Sequence, residues 1–307
     1  MILFFLLSQT TTATAFNKSL QAKALVATNW WPQFVNVSDD YCSWYGITCN
    51  EAGSVTDIYF SNYNLEGNLG SLDFSSFPNL VTLSLDWCVL EGSIPEQIGL
   101  LSNLTKLSLS WNKLTGKLPV SLTNLTHLEE LDLSGNNLSG ELPVFLTSLN
   151  HLKYLYLFYN NFSGNVPVWP TNLTQLEYLD LSKNQLTGPI PPSYGSFVNL
   201  LYLDLSTNHL NGSIPKEIGN LQNLYQLDLG DNNLEGPIPS SLSNLGMLRY
   251  LDLGMNSING PIPLDIANLE ILRYLDLNHN RLVGQIHGYL SRLSYLDVSS
   301  NQLSVSG

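Results

Sequence analysis

Aspartate recurs at a regular spacing in this 307-residue sequence, and neighbouring carboxylates are groups that acid–base catalysis can use. The recurring residues are Asp132, Asp180, Asp204, Asp228, Asp252, Asp276 and Asp297. If each copy sits on its own strand, and strands stack about 4.8 Å apart, the later copies form a run of like charges. We interpret this column as structural: each carboxylate accepts hydrogen bonds from serine, tyrosine or backbone groups and keeps its surface hydrated.

The other residues that could do chemistry do not converge. Of the five histidines, only His279 falls at a predicted exposed strand position. The sequence shows no glycine-rich phosphate loop, no cluster at metal-ligand spacing and no kinase motif. The balance of 12 basic to 25 acidic residues, a net charge of −13, argues against nucleic acid and anionic lipid as partners. We therefore predict a chain that is not an enzyme and has no catalytic residue, metal or cofactor.

Leucine-anchored units repeat along most of the chain. Those separated by 24 residues begin at Leu80, Leu104, Leu128, Leu152, Leu176, Leu200, Leu224, Leu248 and Leu272. A looser unit starts at Val55 and a shortened one at Leu293, so 55–307 contains about eleven units, the last one incomplete. Each unit reads L-x-x-L-x-L-x-x-N-x-L-x-G-x-I/L/V-P with small departures, a pattern specific for leucine-rich repeats.

Alternating leucines within each unit predict a short strand with one buried face, as at Leu131 and Leu133. One such strand cannot bury its leucines alone, but a parallel stack encloses a continuous apolar interior. An asparagine follows the strands at Asn112, Asn136, Asn160, Asn184, Asn208, Asn232, Asn256, Asn280 and Asn301. A buried amide there can satisfy backbone groups of the turn. Cys88 takes this position in its own unit, so we expect a buried structural thiol.

A Gly-x-Ile-Pro stretch follows the strand in several units, as at Gly92 and Gly188. Glycine permits the bend, and proline removes a backbone donor, so the outer side should be extended or one-turn helical. Because the strands are wider than this outer material, the stack should curve. The predicted fold is an α/β solenoid: a curved, right-handed leucine-rich repeat superhelix, or horseshoe, with a parallel β-sheet on the concave face.

The N-terminus resembles an export signal. Residues 2–7 are all apolar, and Ala13 and Ala15 form a small-x-small cleavage site, which predicts a signal peptide over 1–15. No lysine or arginine precedes the apolar run, so this signal could be incomplete, and an apolar N-terminus without a targeting role is the alternative. The run is far shorter than the roughly 20 residues that span a bilayer. Cys42 and Cys49 are close enough in sequence for a disulfide, while metal binding would lack a second ligand pair.

These repeats resemble the plant-specific class, above all the ectodomains of plant leucine-rich repeat receptor-like kinases. The segment 24–60, which begins ALVATNWWPQF and contains CSWYGITC, is similar to the cap that precedes such repeats. The resemblance implies an N-terminal cap over 16–54, a bridge between Cys42 and Cys49, and packing roles for Trp30, Trp31 and Trp44. Family receptors continue into a C-terminal cap, a transmembrane helix and a kinase. This sequence contains none of these, so we expect a truncated product or a fragment, with membrane anchoring only in a longer parent.

One copy of the repeat breaks its own pattern. The unit at Leu152 reads LKYLYLFYNN, so that Tyr156 and Phe158 stand where other units have aspartate and serine. At the last exposed position before the asparagine, Gly135 lies between Trp111 and Tyr159, two rungs or about 10 Å apart. We expect a notch over this glycine.

Exposed aromatic residues dominate binding energy at interfaces, which favours a ligand-anchoring patch on the concave face. The proposed members are Trp87, Trp111, Gly135, Tyr156, Phe158 and Tyr159. The alternative is that these rings stack on each other and stiffen the sheet.

The resemblance implies an extracellular ligand-recognition domain of a plant receptor-like kinase or receptor-like protein, acting in defence or development. Its partners would be a peptide or protein ligand and a leucine-rich repeat co-receptor kinase. It would be secreted or lie on the outer face of the plasma membrane. A secreted polygalacturonase inhibitor with the same repeats is the alternative. Candidate glycosylation sites in N-x-S/T sequons are Asn17, Asn36, Asn103, Asn124, Asn137, Asn161, Asn172 and Asn211.

Overall fold

The structure is a computed structural model that describes residues 20–30, 40–65, 67–169 and 173–305. The predicted signal peptide at 1–15, Trp31, and the sequons at Asn17, Asn36 and Asn172 lie outside the described residues. The chain divides into two compact units, Met1–Leu138 and Ser139–Gly307. Within the described ranges, no helix combines the length and apolar character that crossing a membrane requires.

At the place of the predicted cap, the first unit begins with a helix over 20–27, a 3-10 turn and a strand antiparallel to its successor. Trp30 and Trp44 are buried in it, as the resemblance implied. Cys42 and Cys49 are joined by a disulfide, with their Cα atoms 5.6 Å apart, which confirms the implied bridge. The buried Gln21 ties the helix to the first repeat, because its Oε1 accepts from the Val55 amide at 3.1 Å.

Behind the cap, the first unit stacks its strands in the order of the chain. The main sheet contains β1 (Ile47–Cys49), β2 (Val55–Ser61), β4 (Thr82–Asp86), β6 (Lys106–Ser108) and β8 (Glu130–Asp132). A second sheet contains β3 (Gly67–Asn68), β5 (Leu90–Ser93), β7 (Lys113–Gly116) and the start of β9 (Asn137–Glu141). The 3-10 helices are η1 (Tyr41–Ser43), η2 (Leu69–Ser71), η3 (Phe74–Ser76), η4 (Glu96–Leu100) and η5 (Val120–Asn124).

The second unit repeats this arrangement more regularly. Its main sheet contains β10 (Tyr154–Tyr156), β12 (Tyr178–Asp180), β14 (Tyr202–Asp204), β16 (Gln226–Asp228), β18 (Tyr250–Asp252), β20 (Tyr274–Asp276) and β22 (Tyr295–Asp297). Its second sheet contains the end of β9, β11 (Asn161–Asn165), β13 (Gln185–Pro189), β15 (His209–Ser213), β17 (Asn233–Pro237), β19 (Ser257–Gly260), β21 (Arg281–Ile286) and β23 (Gln302–Val305). The 3-10 helices are η6 (Val144–Ser148), η7 (Pro192–Ser196), η8 (Lys216–Asn220), η9 (Ser240–Asn244), η10 (Leu264–Asn268) and η11 (Gly288–Arg292).

The 24-residue period sets the register of the parallel strands. Leu179 pairs with Leu203, which pairs with Leu227, and all three side chains are buried. Each strand therefore adds one leucine layer to the same interior. The prediction of a leucine-rich repeat solenoid with a parallel sheet is confirmed. Its outer side is 3-10 helical, because a proline such as Pro215 precedes the turn and favours only a short helix.

The asparagine ladder is confirmed: seven of its nine amides are buried, and those of Asn256 and Asn301 are half-buried. The Nδ2 of Asn208 donates to the carbonyls of Leu181, Leu205 and Ser206 at 3.0, 3.1 and 3.1 Å. Its Oδ1 accepts from the Leu186 amide at 3.0 Å. One side chain thus satisfies backbone groups of two successive turns, which would otherwise be buried without partners.

Cys88 occupies the ladder position of its repeat and is fully buried, as predicted. Its Sγ lies 3.3 Å from the Asp86 carbonyl oxygen and 3.7 Å from that of Phe60. Burial raises the pKa of the Cys88 thiol to about 11. Because the thiolate is the nucleophile, this cysteine should be inert.

We expect native protein at pH 8 to alkylate at Cys88 at least about a hundredfold more slowly than an exposed cysteine. Iodoacetamide labelling followed by mass spectrometry measures this rate, and denaturant should restore it. Cys42 and Cys49 serve as the internal control, because their disulfide keeps them unlabelled without reductant. Equal rates in native and denatured protein would show that the thiol is accessible.

Candidate functional site

The solvent side of the main sheet carries the side chains that differ most between repeats. They lie at the third, fifth, seventh and eighth positions of each repeat, and we call this surface the strand face. In the repeat at Leu200 it consists of Tyr202, Asp204, Ser206 and Thr207.

The aspartate column of the second unit is in register on neighbouring strands. Asp180, Asp204 and Asp228 are paired rung by rung, and the register continues to Asp297. The carboxylates accept local hydrogen bonds, as predicted. Asp180 accepts from the Ser182 hydroxyl at 2.7 Å, and Asp204 from the Tyr202 hydroxyl at 3.1 Å.

Crowding and burial make these carboxyl groups hard to ionise. Burial and the neighbouring Asp204 carboxylate raise the pKa of Asp180 to about 7. Burial and the carboxylates of Asp204 and Asp252 raise the pKa of Asp228 to about 8. Burial also raises the pKa of Asp252. A row of like charges in a partly desolvated surface favours protonation, so the column holds protons at a pH where an isolated aspartate would not.

Tyrosines at the third position form stacks beside the aspartates. Tyr250, Tyr274 and Tyr295 are stacked with centroid distances of 4.1 and 4.2 Å. Tyr178 and Tyr202 form a looser stack at 5.9 Å. Gln226 interrupts the column between them, so the repeat that contains Asp228 has no tyrosine of its own at the third position.

In the first unit, two tryptophans form the predicted aromatic surface, although its shape differs from the prediction. Trp87 is 51% exposed, and its ring is stacked on Trp111 at 4.6 Å and 8°. A Cβ added to Gly135 would lie 2.6 Å from the Trp111 ring. The indole therefore lies on the glycine and fills the space above it. The prediction of a notch over Gly135 is wrong on the Trp111 side of this glycine, because the Trp111 ring occupies the space that a side chain at Gly135 would fill.

Polar groups beside this stack are already paired. The Asp86 carboxylate accepts from the hydroxyls of Ser84 and Ser110 at 2.6 and 2.8 Å, and also from that of Ser108. Lys106 and Glu130 form an ion pair at 2.9 Å. The two stacked indoles thus form an apolar surface beside charged groups that already have hydrogen-bond or ion-pair partners.

In the second unit, the aromatic copy of the repeat faces outward. Tyr156 and Phe158 are half-buried, and Tyr159 is 54% exposed. The Tyr156 ring lies 6.5 Å from Tyr154 and 6.4 Å from Tyr178. The Lys183 ammonium lies 5.9 Å from the centroid of the Tyr159 ring. The Tyr156 ring thus lies among neighbouring tyrosines, and ligand binding by this copy of the repeat stays a prediction.

The backbone conformation at the eighth position of the repeat was not predicted from the sequence. Residues there adopt positive φ, including Trp111 at 53°, Tyr159 at 55° and Met255 at 53°. This left-handed conformation lies in the turn that follows each strand, and it is uncommon for bulky residues. The sequence contained one indication of this conformation, because Gly135 occupies the eighth position of its repeat. The bulky residues at the eighth position of the other repeats did not indicate a positive φ.

Comparison with known families agrees with this architecture. Residues 62–189 match the family described as leucine-rich repeat region. Residues 222–282, and the segments 199–221 and 272–293, match leucine-rich repeat families. The chain belongs to the leucine-rich repeat family.

Among individual proteins, a probable leucine-rich repeat receptor-like protein kinase of Arabidopsis thaliana is 38% identical over 64 residues, 21% of this chain and 6% of the relative. The crystallised ectodomain of the Arabidopsis thaliana membrane receptor kinase GASSHO1/SCHENGEN3, in complex with CASPARIAN STRIP INTEGRITY FACTOR 2, is 34% identical with a TM-score of 0.85. That match covers 93% of this chain and 36% of the ectodomain. The chain therefore spans only a small part of these receptors.

A solved plant ice-binding protein is also similar, with 30% identity and a TM-score of 0.77. Here the match covers 95% of this chain and 96% of the other. The receptor ectodomain and the ice-binding protein are thus both similar to this chain. The strand-face side chains, rather than the fold, have to distinguish the two candidate functions.

Proposed function

We propose that this chain is the extracellular ligand-recognition domain of a plant leucine-rich repeat receptor, and that it binds a peptide or protein ligand on its strand face. The observation that carries the proposal is the strand face itself. Its aromatic and acidic side chains differ from rung to rung on an otherwise regular scaffold, as at Tyr156, Gln226 and Gly230. A rigid sheet with variable side chains suits recognition of an extended polypeptide.

The sequons support this choice of surface. The described ones lie in turns, in the second sheet or in a 3-10 helix: Asn103, Asn124, Asn137, Asn161 and Asn211. Glycans at these positions would leave the strand face open to a ligand. A similar ectodomain, that of the receptor kinase HAESA, was crystallised with the peptide hormone IDA and the co-receptor SERK1. We propose a leucine-rich repeat co-receptor as the second partner here, with the signalling kinase on a longer parent.

Ice binding is the second candidate, favoured by the nearly complete mutual coverage with the plant ice-binding protein. An ice-binding surface needs a regular array of small groups, whereas this strand face mixes aspartates with large rings. A gap between the freezing and melting points of a solution of the protein would support ice binding. Inhibition of polygalacturonase would likewise support the secreted-inhibitor alternative.

Peptide binding is tested by affinity selection from a random peptide display library on the purified chain. We expect recovered peptides to bind the variant carrying Trp111→Ala, Tyr156→Ala and Phe158→Ala at least about thirtyfold more weakly, since one aromatic anchor contributes about 2 kcal/mol or more. Isothermal titration of the recovered peptides measures the change.

A matched control truncates three exposed apolar residues of the 3-10 helices instead, with Val120→Ala, Val144→Ala and Leu264→Ala. This variant should bind with unchanged affinity. Circular dichroism and the melting temperature establish that both variants fold. Unchanged affinity in a folded strand-face variant would remove the aromatic patch from the site, and failure to recover any peptide would count against peptide recognition itself.

A further inference from the structure

A trough crosses the strand face of the second unit where two repeats lack a side chain. The seventh position is serine at Ser182 and Ser206 but glycine at Gly230 and Gly254. The resulting pocket has a volume of about 220 Å³. One water needs about 10–15 Å³ of such space, so the trough accommodates a side-chain head group together with solvent.

The carboxylates of Asp228, Asp252 and Asp276 line one side of this trough, while Asp231 and Met255 also border it. A Cβ added to Gly230 would lie 2.9 Å from the Asp252 Oδ1, and one added to Gly254 would lie 3.0 Å from the Asp276 Oδ1. The glycines therefore let the carboxylates border directly on open space. Any larger residue at either position would fill the floor.

Asp228 has the fewest hydrogen-bond donors in the described column. The other aspartates of the column accept from a serine hydroxyl, an asparagine amide or a tyrosine hydroxyl, as Asp252 does from Tyr250 at 3.3 Å. In the repeat that contains Asp228, Gly230 replaces the serine of the seventh position and Gln226 replaces the tyrosine of the third position. Its Oδ1 accepts only from the Gly230 amide, at 3.0 Å, and among the described residues no side chain donates to it.

The described part of the unit provides no cation that pairs with Asp228 or Asp252. Among the described residues, no lysine, arginine or histidine forms an ion pair with Asp228 or Asp252. Arg249 lies over the Tyr225 ring at 5.4 Å, and His279 contacts Asn278 and Ser300. A largely buried carboxylate without a side-chain donor is unfavourable, and a ligand that donates to it would remove that cost.

We infer that the trough is a subsite for one arginine side chain of a polypeptide ligand, an inference that rests on the proposed peptide-binding function. A guanidinium is planar and carries five donors, so it can lie over Gly230 and donate to Asp228 and Asp252 on adjacent strands. Their strands are paired, which places the two carboxylates one rung, about 4.8 Å, apart. A metal ion fits less well: the described residues contain no group of three or more His, Cys, Asp or Glu that could hold one.

The test titrates the isotopically labelled chain with Nα-acetylarginine N-methylamide and follows the amide resonances of Gly230 and Gly254 by NMR. These amides donate to Asp228 and Asp252, at 3.0 and 2.9 Å, so they report directly on the carboxylates. The matching citrulline amide is the neutral control of similar shape. We expect saturable shifts with the arginine probe, in the millimolar range for one head group, and none with citrulline.

Two variants locate the site. Gly254→Ser fills the floor while keeping every charge, and it copies the serine of neighbouring repeats. Asp228→Asn removes the anchor. Each should weaken the arginine probe at least about tenfold, whereas Asp180→Asn, the same charge change outside the trough, should alter binding less than about twofold. The spectrum of each variant also shows whether it is folded.

Absent shifts, equal shifts with citrulline, or an equal loss in Asp180→Asn would overturn the subsite. The peptide selection separates this failure from that of the proposed function. Peptides that bind the strand face without any enrichment of arginine would remove the subsite alone. If no peptide is recovered but the arginine probe binds as expected, the subsite stands and peptide recognition fails.

Discussion

The protein should be more stable in mild acid than at neutral pH. Asp180 and Asp228 have pKa values raised to about 7 and about 8 in the fold, whereas an unfolded aspartate titrates near about 3.9. Between about pH 4 and pH 8 the folded state therefore binds more protons, so the free energy of unfolding falls as pH rises through this window. Because the column shares its protons, we expect a total loss of about 2 to 4 kcal/mol.

Other groups around the column shape this effect. Burial raises the pKa of both Asp180 and Asp204, and the Lys183 ammonium offsets part of that rise. The hydroxyls of Tyr202 and Tyr250 donate to Asp204 and Asp252. None of them neutralises Asp228. Denaturant melts at a series of pH values measure the profile, and Asp228→Asn should flatten it by raising stability at pH 8.

Asp297 provides the matched control, because it ends the same column with the opposite behaviour. Hydrogen bonds from Ser299 lower the pKa of Asp297. Its contribution to stability is present at neutral pH and is lost as pH falls through the lowered pKa. Asp297→Asn should therefore leave the slope between pH 4 and pH 8 unchanged. A flat profile in the unsubstituted protein, or equal effects of both variants, would contradict the shared-proton interpretation.

Replacing one ladder asparagine should cost more stability than any surface change. Asn208→Ala removes the acceptor for the Leu186 amide and the donors for three carbonyls; three of these four bonds are buried, and the one to the Ser206 carbonyl is part-buried. Each buried group left unsatisfied costs about 1–3 kcal/mol, so we expect a loss of about 3 kcal/mol or more. Equilibrium unfolding in urea, monitored by circular dichroism, measures it.

Asn233→Ala is the control for residue type, because Asn233 is exposed at the start of β17. Its effect should stay within about 0.5 kcal/mol. Asn208→Asp adds a second comparison, since it keeps an acceptor for Leu186 but loses the amide donors. We expect it to be nearly as destabilising as Asn208→Ala. Similar stabilities for Asn208→Ala and Asn233→Ala would mean that the ladder does not hold the turns together.

The repeat period alone determined most of the architecture. Leu179, Leu203 and their counterparts are buried because a 24-residue period places equivalent residues in register on parallel strands. The asparagine ladder and the thiol at Cys88 follow from the same register. These features depend only on a residue's own position in its repeat, so a single sequence is sufficient to predict them.

The candidate site depended on neighbouring rungs, which only the tertiary structure could decide. Gly135 predicts open space, yet the Trp111 ring from the previous rung lies on it. Conversely, carboxylate oxygens approach the Cβ positions of Gly230 and Gly254, yet a trough that Met255 also lines stays open there. An indole is large enough to fill the space over a glycine, whereas a carboxyl group is small and leaves part of that space open, so the gap at Gly135 is closed and the trough at Gly230 and Gly254 is open.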